Sequence, residues 1–564
     1  MDASKVPLMF RAQIRGRCQL QYLPHREDPD SVLWVDEWVD KAYPNGPEFG
    51  DEVQTKTYQV SWRFVTNGGQ DEGVIRPVIG AYGWPFYPGS SMKGVFRQAG
   101  ETLEQKGVIP PGTIALYCGK DDTLSPGVLR FHGGYPNNLN WTDQLIDVVH
   151  PQQNWQVETE NTKNKQGGAF SQISLYQPEL KFGISTTDPE KVDWDLVWQI
   201  WEKGLTQGLG CRVSAGYGQF EHTKEKPLLS FHLKGQGPAS KSIDDSLEFR
   251  PNIFRAALRG HAMRIFGGLT TEKNARQIVQ QLFGGIHQGT HWGLLQMNFQ
   301  QKSLNISQEN ATYRVEGKLV WSLTRSLPAD QSKALKKLCQ SLLQFAMVFG
   351  GFGKSWRRAD HRLFMEGYED HIIGCHWQWA SDYDLVRTNP VRQLADIAPF
   401  IEKVREVAQT WMSLQGYHPT HNQLAPWRES WHPDNVLVWG RFAGDVESKV
   451  RGVEDCQAIS WLHEPYRYEY RQGQTIPLTI KGSTVAGGLN QIGRIWHRMY
   501  PIVTRKRDPN DEANRLPKIT PFYLELLTLF PDDSKDCKKF IQFLQSEQSD
   551  FECLWGIMSN QSLV

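Results

Sequence analysis

Glycine and proline interrupt this chain too often for long helices to dominate it. Fifty glycines and 31 prolines are spread through 564 residues. Each is costly inside a helix, since glycine surrenders the most backbone freedom and proline lacks the N–H that the helix needs. Such punctuation favours strands joined by many turns, with helices between them. The length suits three or four domains, or two large ones. Aromatic residues are 12% of the chain, with 21 Trp, whereas disordered chains are aromatic-poor. A small binding module and an unfolded chain are both excluded.

Lys+Arg and Asp+Glu each number 62, so a polyanion must be gripped by local clusters of basic residues. Eight cysteines (Cys18, Cys118, Cys211, Cys339, Cys375, Cys456, Cys537, Cys553) are scattered with no C-x-x-C pair. This is the usage of a reduced, intracellular protein. No apolar run reaches the roughly 18 residues of a membrane span, and the first residues lack the layout of a signal peptide. The expectation is a soluble cytoplasmic protein with no membrane partner.

Alternation through Phe10, Ala12, Ile14, Cys18 and Leu20 predicts a half-buried strand with Arg11, Arg15 and Arg17 on its outer side. Tyr58, Val60, Trp62 and Phe64 predict another. Helical spacing predicts a helix after Pro88 (Met92, Val95, Phe96, Ala99, Leu103) and one at 192–206 (Trp194, Val197, Ile200, Trp201, Leu205). Further on, a helix at 252–266, a strand at 313–323 and a helix at 332–349 ending in glycines repeat the plan, which suggests two copies. The expected boundaries are a first domain at 1–235, with an insertion near 24–57 and a projecting loop near 152–172. A linker at 236–246 and a divergent second domain at 247–514 follow. Residues 391–413 and 489–500 read as helical, 434–442 and 475–481 as extended, and 515–564 as a helical tail.

Two segments carry candidate chemistry. At Pro88-Gly89-Ser90-Ser91 a turn feeds a helix start, where free N–H groups, hydroxyls and Lys93 could face one phosphate, with Arg97 a turn later. Simple serine capping is the competing reading. Gly204 to Phe220 sets Gly208, Gly210, Gly216 and Gly218 around Arg212 and Tyr217. Glycines there let backbone approach a ligand, and Tyr217 offers a ring to a base or ribose. A plain glycine-rich turn is the alternative.

Taken together, these segments resemble the RAMP superfamily of CRISPR-associated proteins, specifically the backbone subunits of type III effector complexes. The likeness rests on D-x-x-V-I-R at Asp71 to Arg76, on Y-P-G-S-S-M-K-G-x-x-R at Tyr87 to Arg97, on Gly167-Gly168-Ala169-Phe170, and on G-x-G-x-R-x-S-x-G-Y-G at Gly208 to Gly218. In the second half Arg255 and Arg259 lie on a segment similar to the family's post-turn helix. Lys354 and Arg357 lie in Gly351-Phe352-Gly353-Lys354-Ser355-Trp356-Arg357, similar to its glycine-rich loop but without the closing G-Y-G.

The resemblance implies an α+β fold of two tandem ferredoxin-like, RRM-related RAMP domains with insertions, a fusion that best fits a type III-D-like subunit. It implies guide RNA, target RNA and other subunits as partners. The RNA-binding residues would be Ser90, Ser91, Lys93, Arg97, Gly208, Gly210, Arg212, Tyr217, Arg255, Arg259, Lys354 and Arg357. Asp71 is the implied catalytic residue of an endoribonuclease cutting guide-paired target RNA, by deprotonating a 2′-hydroxyl or holding Mg²⁺. His25 and Arg26 would assist its proton transfer or stabilise charge on the scissile phosphate, with solvated surface as their alternative reading. A purely architectural RNA-binding subunit is the alternative to cleavage. Arg494, His497 and Arg498 on a helix suggest a further phosphate contact or a surface over a buried stripe. His361, His371, Cys375 and His376 match no common zinc spacing. A carbohydrate-active protein, suggested by the Trp content and the pairs Asp28/Asp30 and Asp36/Glu37, lacks any paired-carboxylate scaffold.

Overall fold

The computed structural model of the chain describes residues 29–66, 70–71, 74–75, 77–120, 125–149, 157–158, 170–221, 227–242, 245–285, 293–353, 374–381, 384–385, 388–420, 422–444, 455–487, 491–508 and 511–557. The strand expected at Phe10 to Leu20, and His25, Arg26, Asp28, Lys354, Arg357, His361 and His371, lie outside them. Two compact units are present. One comprises Met1–Pro151, Gln166–Pro227 and Lys241–Leu247; the other comprises Gln152–Lys165, Leu228–Ser240 and Glu248–Val564.

In the first unit the succession is β1 (Gln54–Gln59), α1 (Gly89–Gln105), β2 (Leu129–Pro136), β3 (Glu179–Thr186) and α2 (Trp194–Leu205). β3 lies between β1 and β2, antiparallel to both. After α2 the chain returns so that Phe220 pairs with Val60 at the open edge. The sheet therefore runs second, third, first strand, with the isolated Phe220–Val60 bridge where a fourth would lie and a helix after the first and the third. α2 begins where Asp193 accepts from the N–H groups of Asp195 and Leu196 at 3.0 and 3.2 Å, an N-terminal cap. Its buried stripe of Val197, Ile200, Trp201 and Leu205 meets Met92, Phe96 and Phe182 in one core, as helical spacing dictates.

The second unit carries the same succession twice. Its first copy is β4 (Leu229–Pro238), α3 (Asn252–Gly267), β5 (Leu295–Ser307), β6 (Thr312–Leu323), α4 (Ala329–Phe345) and β7 (His376–Trp379), in sheet order β5-β6-β4-β7. Its second copy is β8 (Leu437–Ala443), α5 (Gln457–His463), β9 (Ile495–Asp508), β10 (Asp511–Leu529), α6 (Lys535–Leu544) and β11 (Glu552–Trp555), in sheet order β9-β10-β8-β11. Both sheets are antiparallel throughout. Among the described residues the plan thus occurs three times, where the sequence suggests two.

Three boundaries are corrected. The expected linker at 236–246 overlaps β4, which is hydrogen-bonded on both sides and supplies Phe231 and Leu233 to the core; the glycines of Lys234-Gly235-Gln236-Gly237 sit in a strand, not a spacer. The helix expected at 489–500 gives way to a strand, Ile495–Asp508. The described part of the expected helical tail, 515–557, is strand, helix and strand. The last two errors share a cause. Trp496, Tyr500, Leu524 and Leu526 of one sheet face belong to the large core of this unit, while Ile495, Leu527 and Leu529 of the other pack on Ala458, Trp461, Phe540 and Phe543. A sheet buried on both faces shows no polar alternation. Within the segment expected to project at 152–172, Val157 is 1% exposed in the second unit's core, and Phe170–Ile173 pairs with Ile146–Val149.

Candidate nucleic-acid interface

Three of the motifs read from the sequence meet in the first unit, around the short strand Arg63–Phe64 and Val65 beyond it. The glycine-rich loop docks there first. Cys211 donates its N–H to the Val65 carbonyl at 3.3 Å, and Gly218 donates to the Arg63 carbonyl at 2.7 Å. Gly210, at φ +78°, approaches so closely that a Cβ on it would lie 2.2 Å from the Val65 oxygen. Only glycine satisfies both demands. Gly208 is also left-handed, at φ +76°. The glycines expected to admit a ligand thus bring the loop against the protein's own strand.

From the same strand end the chain enters the hairpin that pairs Gln70–Asp71 with Val74–Ile75. Its base is closed where Val78 donates its N–H to the Thr66 hydroxyl at 2.9 Å. Asp71 therefore lies in a tight hairpin six residues beyond Val65; its side chain is outside the described residues, as are Glu72 and Arg76.

The exit of that hairpin leads to α1. Phe86 donates to the Val78 carbonyl, and Tyr87 exchanges two backbone hydrogen bonds with Gly134 of β2, all at 2.9 Å. The Tyr87 ring stands 5.8 Å from Phe64, the same Phe64 whose ring would touch a Cβ on Gly210. Burial raises the Tyr87 phenol far above its usual range, and the neighbouring Cys211 thiol adds to the shift. Tyr87 thereby joins the helix start to the glycine-rich loop.

At the helix start no side chain caps α1 and its first turn holds no acidic residue. Ser90 and Ser91 are exposed, so the serine-capping alternative does not hold. The first N–H groups of a helix have no partner within it and carry its positive dipole end. Lys93 is half-buried nearby. Arg97 is partly engaged, donating to the carbonyls of Cys118 and Gly119 at 3.3 and 3.5 Å, at the end of the short helix Thr113–Cys118. Burial pushes the Cys118 thiol up to about 11, with Arg97 and Lys93 pulling the other way. Arg212 is half-buried in a left-handed conformation at φ 58°.

Tyr217 requires a correction. Its ring is 1% exposed and packs on Trp62 at 4.6 Å, so it offers no face to a base or ribose. Its hydroxyl donates to Asp147 Oδ2 at 2.7 Å, which also accepts from Gln172 Nε2 at 2.7 Å. Buried Arg63 donates to the Gln144 carbonyl and Ser174 Oγ at 2.8 and 2.9 Å. Arg63, Asp147, Gln172, Ser174 and Tyr217 thus form a polar layer beneath the loop that the sequence reading missed. The only trace it leaves is a charged residue inside each of two apolar runs, Trp62-Arg63-Phe64 and Ile146-Asp147-Val148.

In the second unit the expected phosphate contacts turn inward. Arg255 donates to the Phe283 carbonyl at the end of helix Glu272–Phe283. Arg259 reaches Met263 Sδ at 3.7 Å, and burial together with the neighbouring Arg276 guanidinium draws it down to about 10. The second glycine-rich loop begins with Phe352 fully buried and with Gly353 at φ +91°. Arg494 donates to the Phe530 carbonyl at 2.9 Å and pairs with Asp532 at 3.0 Å, and Arg498 donates to the Trp377 carbonyl at 3.4 Å. Both are drawn into the unit on and beside a strand, not displayed on a helix. No helix among the described residues is long and apolar enough to cross a membrane.

No family model matches the chain, and no curated protein matches it. Among solved structures it is similar to a chain of the type III-B Cmr-beta bound to cognate target RNA, with 18% identity, 30% of this chain covered and a TM-score of 0.23; it spans 58% of that chain's length. It is also similar to Cmr1 from Pyrococcus furiosus in its apo form, with 12% identity over 58% of this chain and 98% of the other, TM-score 0.29. A further likeness is to a chain of Cmr-beta bound to cognate target RNA and AMPPnP in the presence of ssDNA, with 11% identity over 57% and 99%, TM-score 0.29. At TM-scores of 0.23 to 0.29 these superpositions assign neither fold family nor function.

Proposed function

We propose that the chain is an RNA-binding, backbone-type subunit of a type III CRISPR ribonucleoprotein, built from ferredoxin-like RAMP repeats, and that its first unit grips guide RNA. The observation that supports this reading is the meeting of three motifs around Phe64 and Val65: the Tyr87 approach to the uncapped start of α1, the Gly208–Gly218 loop and the Asp71 hairpin. A helix start without an acidic residue, flanked by Lys93, suits a phosphate. Contacts of this kind position RNA without reading bases, so base pairing supplies the specificity.

On this reading Asp71 cleaves target RNA paired to the guide. Its carboxylate takes the proton of a ribose 2′-hydroxyl, the 2′-oxygen attacks the adjacent phosphorus, and the bond to the 5′-oxygen breaks. The products are a cyclic phosphate and a 5′-hydroxyl, which takes up a proton. In the alternative role Asp71 would hold Mg²⁺ through water, since a carboxylate suits this hard cation. Bound there it would neutralise charge on the scissile phosphate. The partners are guide RNA, target RNA and other subunits of the complex.

The test is Asp71→Ala in the assembled complex, incubated with target RNA and Mg²⁺. Loss of cleavage at one position, with assembly intact, is expected. Retained cleavage there removes the catalytic role and leaves an architectural subunit.

A further inference from the structure

We propose that Cys456, His497 and Glu525, in the last repeat of the second unit, form a binding site for a zinc-type divalent ion. The three ligand atoms already stand together. Cys456 Sγ lies 3.2 Å from Glu525 Oε1 and 3.7 Å from His497 Nε2, and His497 Nε2 lies 3.1 Å from the same Oε1. A tetrahedral ion with metal–sulfur distances of about 2.3 Å and metal–nitrogen or metal–oxygen distances of about 2.0–2.1 Å holds its ligand atoms about 3.3–3.6 Å apart. The observed triangle brackets that range, so an ion would enter with movements of a few tenths of an ångström.

The donor set selects the metal. A thiolate, an imidazole and a carboxylate suit zinc, while magnesium and calcium prefer oxygen alone. Each ligand comes from a different element: Cys456 caps α5, His497 lies on β9 and Glu525 on β10. The carboxylate is oriented from outside the triangle. Its Oε2 accepts from Arg441 Nε at 2.7 Å and from the Gln457 N–H at 3.2 Å, which turns Oε1 toward the cysteine and histidine. Such outer contacts fix the ligand rotamer in metal sites.

Two groups oppose a cation here, and both are offset. Arg441 is balanced by Asp455, which accepts from it at 2.8 and 3.1 Å. The start of α5, through the Ala458 N–H at 2.9 Å, already has the Glu525 carboxylate on it. Binding converts the Cys456 thiol to thiolate and releases its proton to solvent, with His497 ligating through Nε2 while Nδ1 carries its proton. His497 and Glu525 are buried and Cys456 is half-buried, so water can reach a fourth position beside the sulfur. A hydrogen-bonded trio without metal fits the same distances but keeps the thiol proton, and that difference is measurable.

Cobalt(II) titration of the metal-stripped full-length chain is the test, and it uses no RNA. One equivalent should give a thiolate-to-cobalt charge-transfer band that zinc abolishes and that is absent from Cys456→Ser. No band, or an equal band in Cys456→Ser, overturns the proposal. As a check that does not depend on the variant's folding, zinc should slow alkylation of Cys456 in the unmodified chain at least tenfold, relative to the other cysteines. Unchanged labelling likewise overturns it.

Discussion

The Tyr217 hydroxyl donates to the Asp147 carboxylate at 2.7 Å inside the first unit, and through that bond the closing Gly-Tyr-Gly of the glycine-rich loop is fixed to the floor of the candidate interface. Replacing Tyr217 with Phe keeps the packing on Trp62 and removes the donor. A buried carboxylate deprived of one partner should cost about 1–3 kcal/mol. Urea unfolding would show this as a lower midpoint at unchanged slope. An unchanged midpoint would mean that Asp147 does not depend on the bond.

Gly210 and Gly107 separate crowding from backbone conformation. Both have positive φ, at +78° and +65°, but a Cβ on Gly107 meets nothing within 4 Å. Gly107→Ala should therefore cost about 1–2 kcal/mol, the penalty of a left-handed residue. Gly210→Ala should cost clearly more, because Val65 is hydrogen-bonded backbone and cannot retreat. Equal losses in thermal unfolding would show that the loop is free to move away from the strand.

Lys93 carries a prediction about salt. If it contacts phosphate, Lys93→Gln should weaken RNA binding similarly for all sequences and reduce the slope of log affinity against log salt by about 1. The filter-binding slope checks this, and a sequence-dependent loss would assign Lys93 to base contact instead.

Asp532 sets an acid limit on the second unit. Burial would raise its carboxyl, but the hydrogen bond from Ser534 and the nearby Arg494 guanidinium hold it below its usual value in the folded chain. A depressed folded pKa gives stability that is complete above the unfolded value, about 3.9 for Asp, and is lost as pH falls through the folded one. Asp532→Asn should remove that component, making the variant less stable at neutral pH and its stability flatter with pH below about 4. Denaturation midpoints between neutrality and pH 3 decide it.

What could be read from residues alone followed from how each element is buried. α1 and α2 each bury one stripe, and Met92, Phe96, Ala99 and Leu103, like Val197, Ile200, Trp201 and Leu205, carry the helical period openly. The glycine clusters marked real left-handed positions at Gly208, Gly210 and Gly218. They did not reveal that these serve contact with the chain's own backbone, because closeness to a ligand and closeness to a strand demand the same residue. Arg255, Arg494 and Arg498 look like surface cations in sequence; their carbonyl partners are distant along the chain. The third repeat was hidden because Ile495–Tyr500 of β9 and Leu524–Leu529 of β10 bury residues toward both sides, so Trp496 and Met499 mimic a helical stripe.

That doubly covered sheet makes the C-terminal end of the protein inseparable from the middle. Trp431 stacks on Trp496 at 5.7 Å and on Trp555 at 5.9 Å, in the cluster that also holds Phe254 and Trp377. A chain ending before Leu437 would leave these surfaces wet and adhesive, and the surviving part would be expected to clump rather than stand alone. Heating should accordingly melt the two repeats of this unit in a single step, with no stage at which one outlives the other.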